Sequence, residues 1–346
     1  MYVLKNLNKI EFKKRLSIEI LKSINIDNFY NKPWGLKHWL DHARPAVSQD
    51  TVVALIDPDM IFIRPLTTKI RGMENNLHDK KLDPAALQEV IQRGKPVAQL
   101  YGLGAPWTND NHKKFNRTHV CGVGSPCLIP DDKFGNNHYA VGPPYIAVRA
   151  DFQTIAEAWT QFVPRVYEKY PFLLAEMYAY SMAAAHVNLP HLQMEQYMVS
   201  STDAGGEGWP WIEGLPDVCV PPVDGIYFPG QPMPVLMHYC QHYSTGGVGY
   251  HKGNVPKDIF SCESPMLLEL APDFGKIDFN KFSFQTEREK FKEARKEKRS
   301  AFSICIAHRS INAALQDYKS KMCGIALQNV TNFDKTLTVA RRPAHP

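Results

Sequence analysis

What this sequence lacks removes several classes of protein before any motif is read. No apolar run approaches the roughly 20 residues that a membrane-spanning helix needs. The opening stretch, Met1-Tyr-Val-Leu-Lys-Asn-Leu-Asn-Lys, is too charged and interrupted to serve as a signal peptide. No C-x-x-C pair occurs, so the spacing of a structural zinc site is missing despite seven cysteines. There is no internal repeat and no low-complexity block. Charge of one sign is also scarce. The formal net charge is only +5, and much of it lies in 287–299, where both signs mix. That run reads as a solvated helix face with i,i+4 pairs. No recognised nucleic-acid module accompanies it, so nucleic acid is not an expected partner.

What remains is an ordinary globular composition over 346 residues, enough for one large domain or two small ones. The cysteines stand at 121, 127, 219, 240, 262, 305 and 323. An odd number predicts disulfides in an oxidising lumen with one thiol left over. Cys305 and Cys323 flank a helical segment, which argues against a bridge between those two. His119 beside Cys121 and Cys127 is a weaker option as a metal ligand. Two N-glycosylation sequons, Asn116-Arg-Thr118 and Asn329-Val-Thr331, fit the same compartment.

Helical periodicity covers Glu11 to Ile24. A short helix follows from Pro33 to His42, with Asn31 as a candidate cap. Asp83 to Gly94 carries the marks of a further helix: a capping Asp, a proline at the first position and a terminal glycine. Asp151 is expected to cap a helix from Phe152 to Tyr170 that Pro164 kinks, and Leu173 to His186 is helical by propensity. The tail from Ser303 to Tyr318 is one-sidedly apolar and must pack on something. Strands are predicted at Thr51–Ile56, on to Arg64, at Pro96–Tyr101, Gly142–Arg149 and Pro234–Cys240. Between them, 102–137 reads as a long loop and 199–228 as largely irregular. Alternating strands and helices predict an α/β sandwich with a mostly parallel central sheet. Ligands in such sheets bind outside the carboxyl ends of the strands.

The chemistry concentrates at one such strand end. The apolar run Thr51 to Ile56 stops at Asp57-Pro58-Asp59, and a second apolar run follows. Unpaired carboxylates are costly inside a sheet, and Pro58 interrupts strand hydrogen bonding, so the pair belongs in a turn facing a cleft. Two carboxylates beside a diphosphate suit a hard cation such as Mn²⁺ or Mg²⁺. The alternative is a β-turn in which Asp57 caps backbone amides and Asp59 is solvated. His238, at the end of the Pro234 strand, offers a third ligand or else a core histidine bonded to a carbonyl. Glu176 interrupts an apolar helix, either as an active-site carboxylate or as a charge on that helix's wet edge. Tyr178 and Tyr180 lie on different faces of the same helix. Trp209 and Trp211, in the Gly205–Trp211 loop, offer aromatic platforms for sugar or peptide, or ordinary loop packing.

Several segments together resemble the plant and algal hydroxyproline O-arabinosyltransferases. They are Tyr30-Asn-Lys-Pro-Trp34, the block Asp57 to Leu66, Val141 to Asp151, Glu176 to Tyr180, and His238-Tyr239. The related peptidyl serine α-galactosyltransferases share much of the pattern, which covers roughly 30 to 260. The resemblance implies a GT-A-like fold, a UDP-sugar donor, a divalent metal (usually Mn²⁺), a hydroxyproline- or serine-rich protein acceptor, and residence in the Golgi or endoplasmic reticulum lumen. By position it implies Asp57, Asp59 and His238 as metal ligands and Glu176 as the active-site carboxylate, although the family tends to carry Glu where this chain has Asp57. Residue patterns and resemblance together are expected to divide the chain into a helical segment over 1–29, the GT-A-like glycosyltransferase domain over 30–270, a charged and amphipathic helical extension over 271–325 whose helix around Ile304 to Tyr318 has no counterpart in the family, and a disordered tail over 326–346. Only 56 residues precede Asp57, so the family's uridine-holding strand and its membrane anchor are expected to be absent from this chain. A non-catalytic relative that keeps the fold and binds peptide is the alternative from another class.

Overall fold

The computed structural model of this chain describes residues 2–3, 31–66, 69–71, 87–89, 91–109, 116–172, 174–205, 207–219, 233–267, 270–271, 273–276 and 286–324. In chain order the strands are β1 (Tyr2–Val3), β2 (Val52–Ile56), β3 (Met60–Phe62), β4 (Lys69–Arg71), β5 (Leu87–Glu89), β6 (Val97–Leu100), β7 (Val141–Val148), β8 (Leu192–Met194), β9 (Met198–Val199), β10 (Leu236–His238), β11 (Tyr243–Thr245) and β12 (Val248–Tyr250). The chain divides into two compact units, the first from 1–58 and 67–197, the second from 59–66 and 198–346.

The first unit holds a sheet of order β1-β2-β7-β6-β8. In this sheet the pairings β1–β2, β2–β7 and β7–β6 are antiparallel, and β6–β8 is parallel. The mostly parallel sheet predicted from the alternation of elements is therefore corrected to a mixed one. The physical reason lies in the connections. A single crossover helix returns the chain to the starting end of the sheet and gives parallel neighbours. Here β7 runs into Arg149–Lys169, which turns back through Ala175–His186 before β8. Two helices in succession reverse direction once more than one helix does. Element alternation reads the same in both cases.

All eight residues of β7 are buried. The helix Arg149–Lys169 puts Phe152, Ile155, Trp159, Phe162 and Val166 into the core at helical spacing, where Leu55, Tyr145 and Tyr180 join them. Pro164 lies inside that helix without ending it. Asp151 does not cap it. Val148 holds the cap position, and Asp151 accepts from the Gly94 amide at 2.8 Å instead. A side chain at Gly142 has nowhere to go, since a Cβ there would lie 2.4 Å from the Tyr101 ring and 2.9 Å from Met177. Gly142→Ala should therefore cost about 1–3 kcal/mol by overpacking, read from urea unfolding midpoints.

Three local expectations are corrected in this unit. Leu87–Glu89, predicted helical, pairs antiparallel with β4, and Gln92 bridges to Lys95 around a turn where Gly94 has φ +78°. Cross-strand hydrogen bonding outweighs a few tenths of a kcal/mol of local propensity. The region 102–137 contains two capped helices, Arg117–Cys121 after Asn116 and Asp132–His138 after Asp131. Tyr2–Val3 forms a strand against β2, where the sequence predicts a helical segment. The helix expected over Glu11–Ile24 and the tail 326–346 lie outside the described residues.

In the second unit β10 pairs antiparallel with β3 and parallel with β9. A hairpin of β11 and β12 turns through Gly246 and Gly247, whose φ values of +56° and +77° suit glycine. One helix, Glu287–Cys323, begins at a Thr286–Glu289 capping box and spans both segments that read separately in the sequence. Its middle buries Phe302, Ile304 and Cys305 against Trp209, Ile212 and Met237. Arg299, expected on a solvated face, is buried. It binds Glu213 through Nε at 2.7 Å and donates to the Thr202 and Ala204 carbonyls. Charge pairing is what makes that burial tolerable.

Disulfides join Cys121 to Cys127, Cys219 to Cys305 and Cys262 to Cys323, leaving Cys240 free. The leftover thiol and the absence of a Cys305–Cys323 bridge agree with expectation. The Cys219–Cys305 bridge closes a separation of 86 residues. Replacing both cysteines by serine should lower stability by about 2–5 kcal/mol, measured by chemical unfolding under non-reducing conditions. Among the described residues no helix is long and apolar enough to cross a membrane.

Candidate metal centre

The acidic turn sits between β2 and β3, as its sequence predicts. β2 is buried from Val53 to Ile56, and burial ends where the charge begins. The Asp59 carbonyl accepts from the Tyr239 amide at 2.9 Å, which carries the β3–β10 ladder one step beyond Met60. Because His238 is the register partner of Met60, it arrives beside Asp59 by strand pairing. The Tyr243 hydroxyl lies 3.0 Å from the His238 carbonyl oxygen and holds that strand end in place.

Asp59 Oδ1 lies 3.4 Å from His238 Nε2, and Lys252 Nζ donates to Asp59 Oδ2. Burial alone would raise the Asp59 pKa, but His238 and Lys252 outweigh it and hold the carboxyl well below the usual range. Asp57 is tied to Asp59 through Pro58 alone. Asp57, Asp59 and His238 each offer one ligand atom, all within 4.8 Å of one another. His238 Nδ1 is buried without a hydrogen-bond partner among the described residues. Two carboxylates and an imidazole make a donor set of the kind that holds a metal ion. The turn in which Asp59 is simply solvated is not what the structure contains.

In the first unit Lys32, in the first turn of the helix Asn31–His42, bridges two carboxylates. Its Nζ lies 2.8 Å from Asp57 Oδ1 and 2.7 Å from Glu176 Oε1. Burial would lower the Lys32 pKa, yet Glu176 and Asp57 together raise it above its ordinary value. Glu176 is shifted upward, mainly by burial, with Lys32 opposing. Its Oε2 is buried without a partner among the described residues. The wet-edge alternative for Glu176 is thus excluded. Trp159 Nε1 donates to the Glu176 carbonyl at 2.8 Å and fixes that turn of helix.

Sequence reasoning missed Lys32, Lys252 and Tyr145 as neighbours of the acidic groups. Lys32 had a usable signal, since a lysine in a first helical turn is unfavourable with the helix dipole and implies a compensating anion. Tyr145 pairs with Leu55 across β2 and β7, and its hydroxyl is buried without a hydrogen-bond partner among the described residues. Burial, with Glu176 next in weight, pushes that hydroxyl well above its usual pKa. Tyr178 and Tyr180 do point to different surroundings: Tyr180 stacks on Tyr145 at 3.8 Å, and Tyr178 meets Tyr170.

Two other sequence candidates have structural roles. Trp209 is fully buried against Phe302 with the Arg299 guanidinium over its ring at 5.2 Å, so it is core rather than a sugar platform. His119 pairs with Glu168 at 3.2 Å, and its neighbouring cysteines are bonded to each other.

The buried Tyr180 hydroxyl meets His191 Nε2 at 2.9 Å, and desolvation lowers the His191 pKa to about 3. The folded state therefore holds this imidazole neutral while the unfolded chain, near 6.5, takes up a proton. The stability from this group is complete above pH 6.5 and is lost as pH falls toward 3. Its contribution to the slope should reach about 1.4 kcal/mol per pH unit, and His191→Gln should remove it in unfolding curves taken from pH 7 to 4.

No protein-family model, curated protein or solved structure matches this chain.

Proposed function

We propose that this protein is a metal-dependent glycosyltransferase that moves a sugar, arabinose in the first instance, from a UDP-sugar to hydroxyproline on secreted proteins. The observation that carries the reading is His238 arriving beside the Asp57-Pro58-Asp59 turn by strand pairing. Asp57, Asp59 and His238 would hold the divalent ion. Once bound, that ion would neutralise diphosphate charge and stabilise the departing nucleotide. The depressed pKa of Asp59 keeps it anionic through the neutral range, as a ligand must be. Glu176, raised by burial and with Oε2 unengaged, suits proton acceptance from an acceptor hydroxyl. Lys32 holds Oε1 of the same carboxylate and so orients it.

A GT-A-like frame and a place in the Golgi or endoplasmic reticulum lumen belong to this proposal. The lumenal part draws support from the three disulfides. One observation favours a second reading, a non-catalytic relative that binds peptide. Lys32 and Lys252 already neutralise the two aspartates, as a retired metal site would require.

The test incubates the full chain with Mn²⁺, UDP-arabinose or UDP-galactose, and hydroxyproline-rich or serine-rich peptides, with products read by mass. Arabinosylated hydroxyproline that disappears in Glu176→Gln is the expected result. Galactosylated serine would move the assignment to the related serine enzymes. Peptide binding with every UDP-sugar left intact would overturn the enzymatic reading.

A further inference from the structure

Asn116 has no part in the proposed reaction, yet it opens the triplet Asn116-Arg117-Thr118 in an exposed position. It precedes the helix Arg117–Cys121, and its Oδ1 accepts from the His119 amide at 2.9 Å. That cap engages the carbonyl oxygen of the side chain and does not consume Nδ2. An amide substituted at Nδ2 keeps the same acceptor oxygen, so cap and substituent are compatible. Thr118 is exposed as well, and its backbone carbonyl accepts from Gly122 at 2.9 Å, a bond indifferent to its side chain. The helix ends at Cys121, which is bonded to Cys127, a bond that persists in an oxidising compartment.

We propose that Asn116 is an N-glycosylation site that takes an oligosaccharide from a lipid diphosphate-linked donor. A bond forms between Asn116 Nδ2 and the anomeric carbon of the donor. The bond from that carbon to the lipid diphosphate oxygen breaks, and the proton lost from Nδ2 is balanced by the departing diphosphate. The host's oligosaccharide transferase performs the step while the chain enters the lumen. The inference rests on the lumenal location in the reading above and is independent of sugar transfer by this protein. A glycan at this place extends into solvent and displaces no core residue.

The experiment expresses the full chain in a eukaryotic secretory host. It maps peptides after enzymatic glycan removal, which converts an occupied Asn to Asp. Asn116 should be occupied, with loss of mass on deglycosylation. Thr118→Ala should abolish the modification at Asn116 and leave the helix cap intact, while Thr118→Ser should retain it. Asn116→Gln is the poorer variant, since it also removes the cap. An unmodified Asn116 in protein whose three disulfides have formed overturns the proposal, and so does a glycan found only at Asn329. Protein recovered with all its cysteines reduced overturns it together with the lumenal premise. A Mn²⁺ titration on the same sample separates the two readings, because an occupied Asn116 without metal binding counts against the glycosyltransferase alone.

Discussion

Asp59→Ala is expected to weaken Mn²⁺ binding by at least about 100-fold, since even residues that only support a metal ligand are worth 10- to 100-fold. The same titration should move the other way in Lys252→Met. Lys252 Nζ sits on Asp59 Oδ2, so an incoming cation must displace it. Removing a half-exposed ammonium should tighten Mn²⁺ binding by roughly 5-fold, about 1 kcal/mol for an exposed charge pair. The opposed signs are the strength of the pair. A protein that is merely destabilised loses affinity in both variants, whereas a real site loses it in one and gains it in the other. His238→Ala should follow Asp59→Ala. Isothermal titration of Mn²⁺ into the four proteins measures all of this, and equal affinities throughout would remove the metal centre.

Lys32→Met should destabilise the protein by about 3–5 kcal/mol, the usual result of breaking a buried ion pair from one side. The lysine bridges Asp57 and Glu176 at 2.8 and 2.7 Å with all three side chains largely buried. Without it, two carboxylates face each other in a region that water cannot solvate well. The effect should be strongly non-additive. Glu176→Gln in the Lys32→Met background removes one of the stranded charges, so the double variant should recover part of the loss. Urea unfolding of the two single variants and the double variant supplies the cycle. A cost below about 1 kcal/mol for Lys32→Met, or strict additivity, would mean that the bridge contributes little.

How much of this was legible beforehand differs from residue to residue. The Asp57-Pro58-Asp59 turn was, because an apolar β-branched run cannot absorb two adjacent charges. The burial of Glu176 was partly legible. Its helix is apolar on every side, and such a helix is covered all round. The direction of the strands was not, because one helix and two helices between strands give the same alternation of elements. Nor was the strand at Leu87–Glu89, where local signals for a helix are genuine but cross-strand bonds to β4 win.

The sequence by itself determined the local breaks: where the acidic turn interrupts the strands, where charge collects, and that one thiol is left over. These depend on neighbours within a few residues and on the cost of burying charge. Only the tertiary structure decided which distant groups meet. His238 reaches Asp59 because β10 pairs with β3 in one register, and a slip of one residue would turn it to the other face. Lys32 reaches Glu176 across 144 positions of sequence because the helices that carry them pack in one core. Such meetings follow from the summed packing of many apolar side chains, and no short segment carries that information.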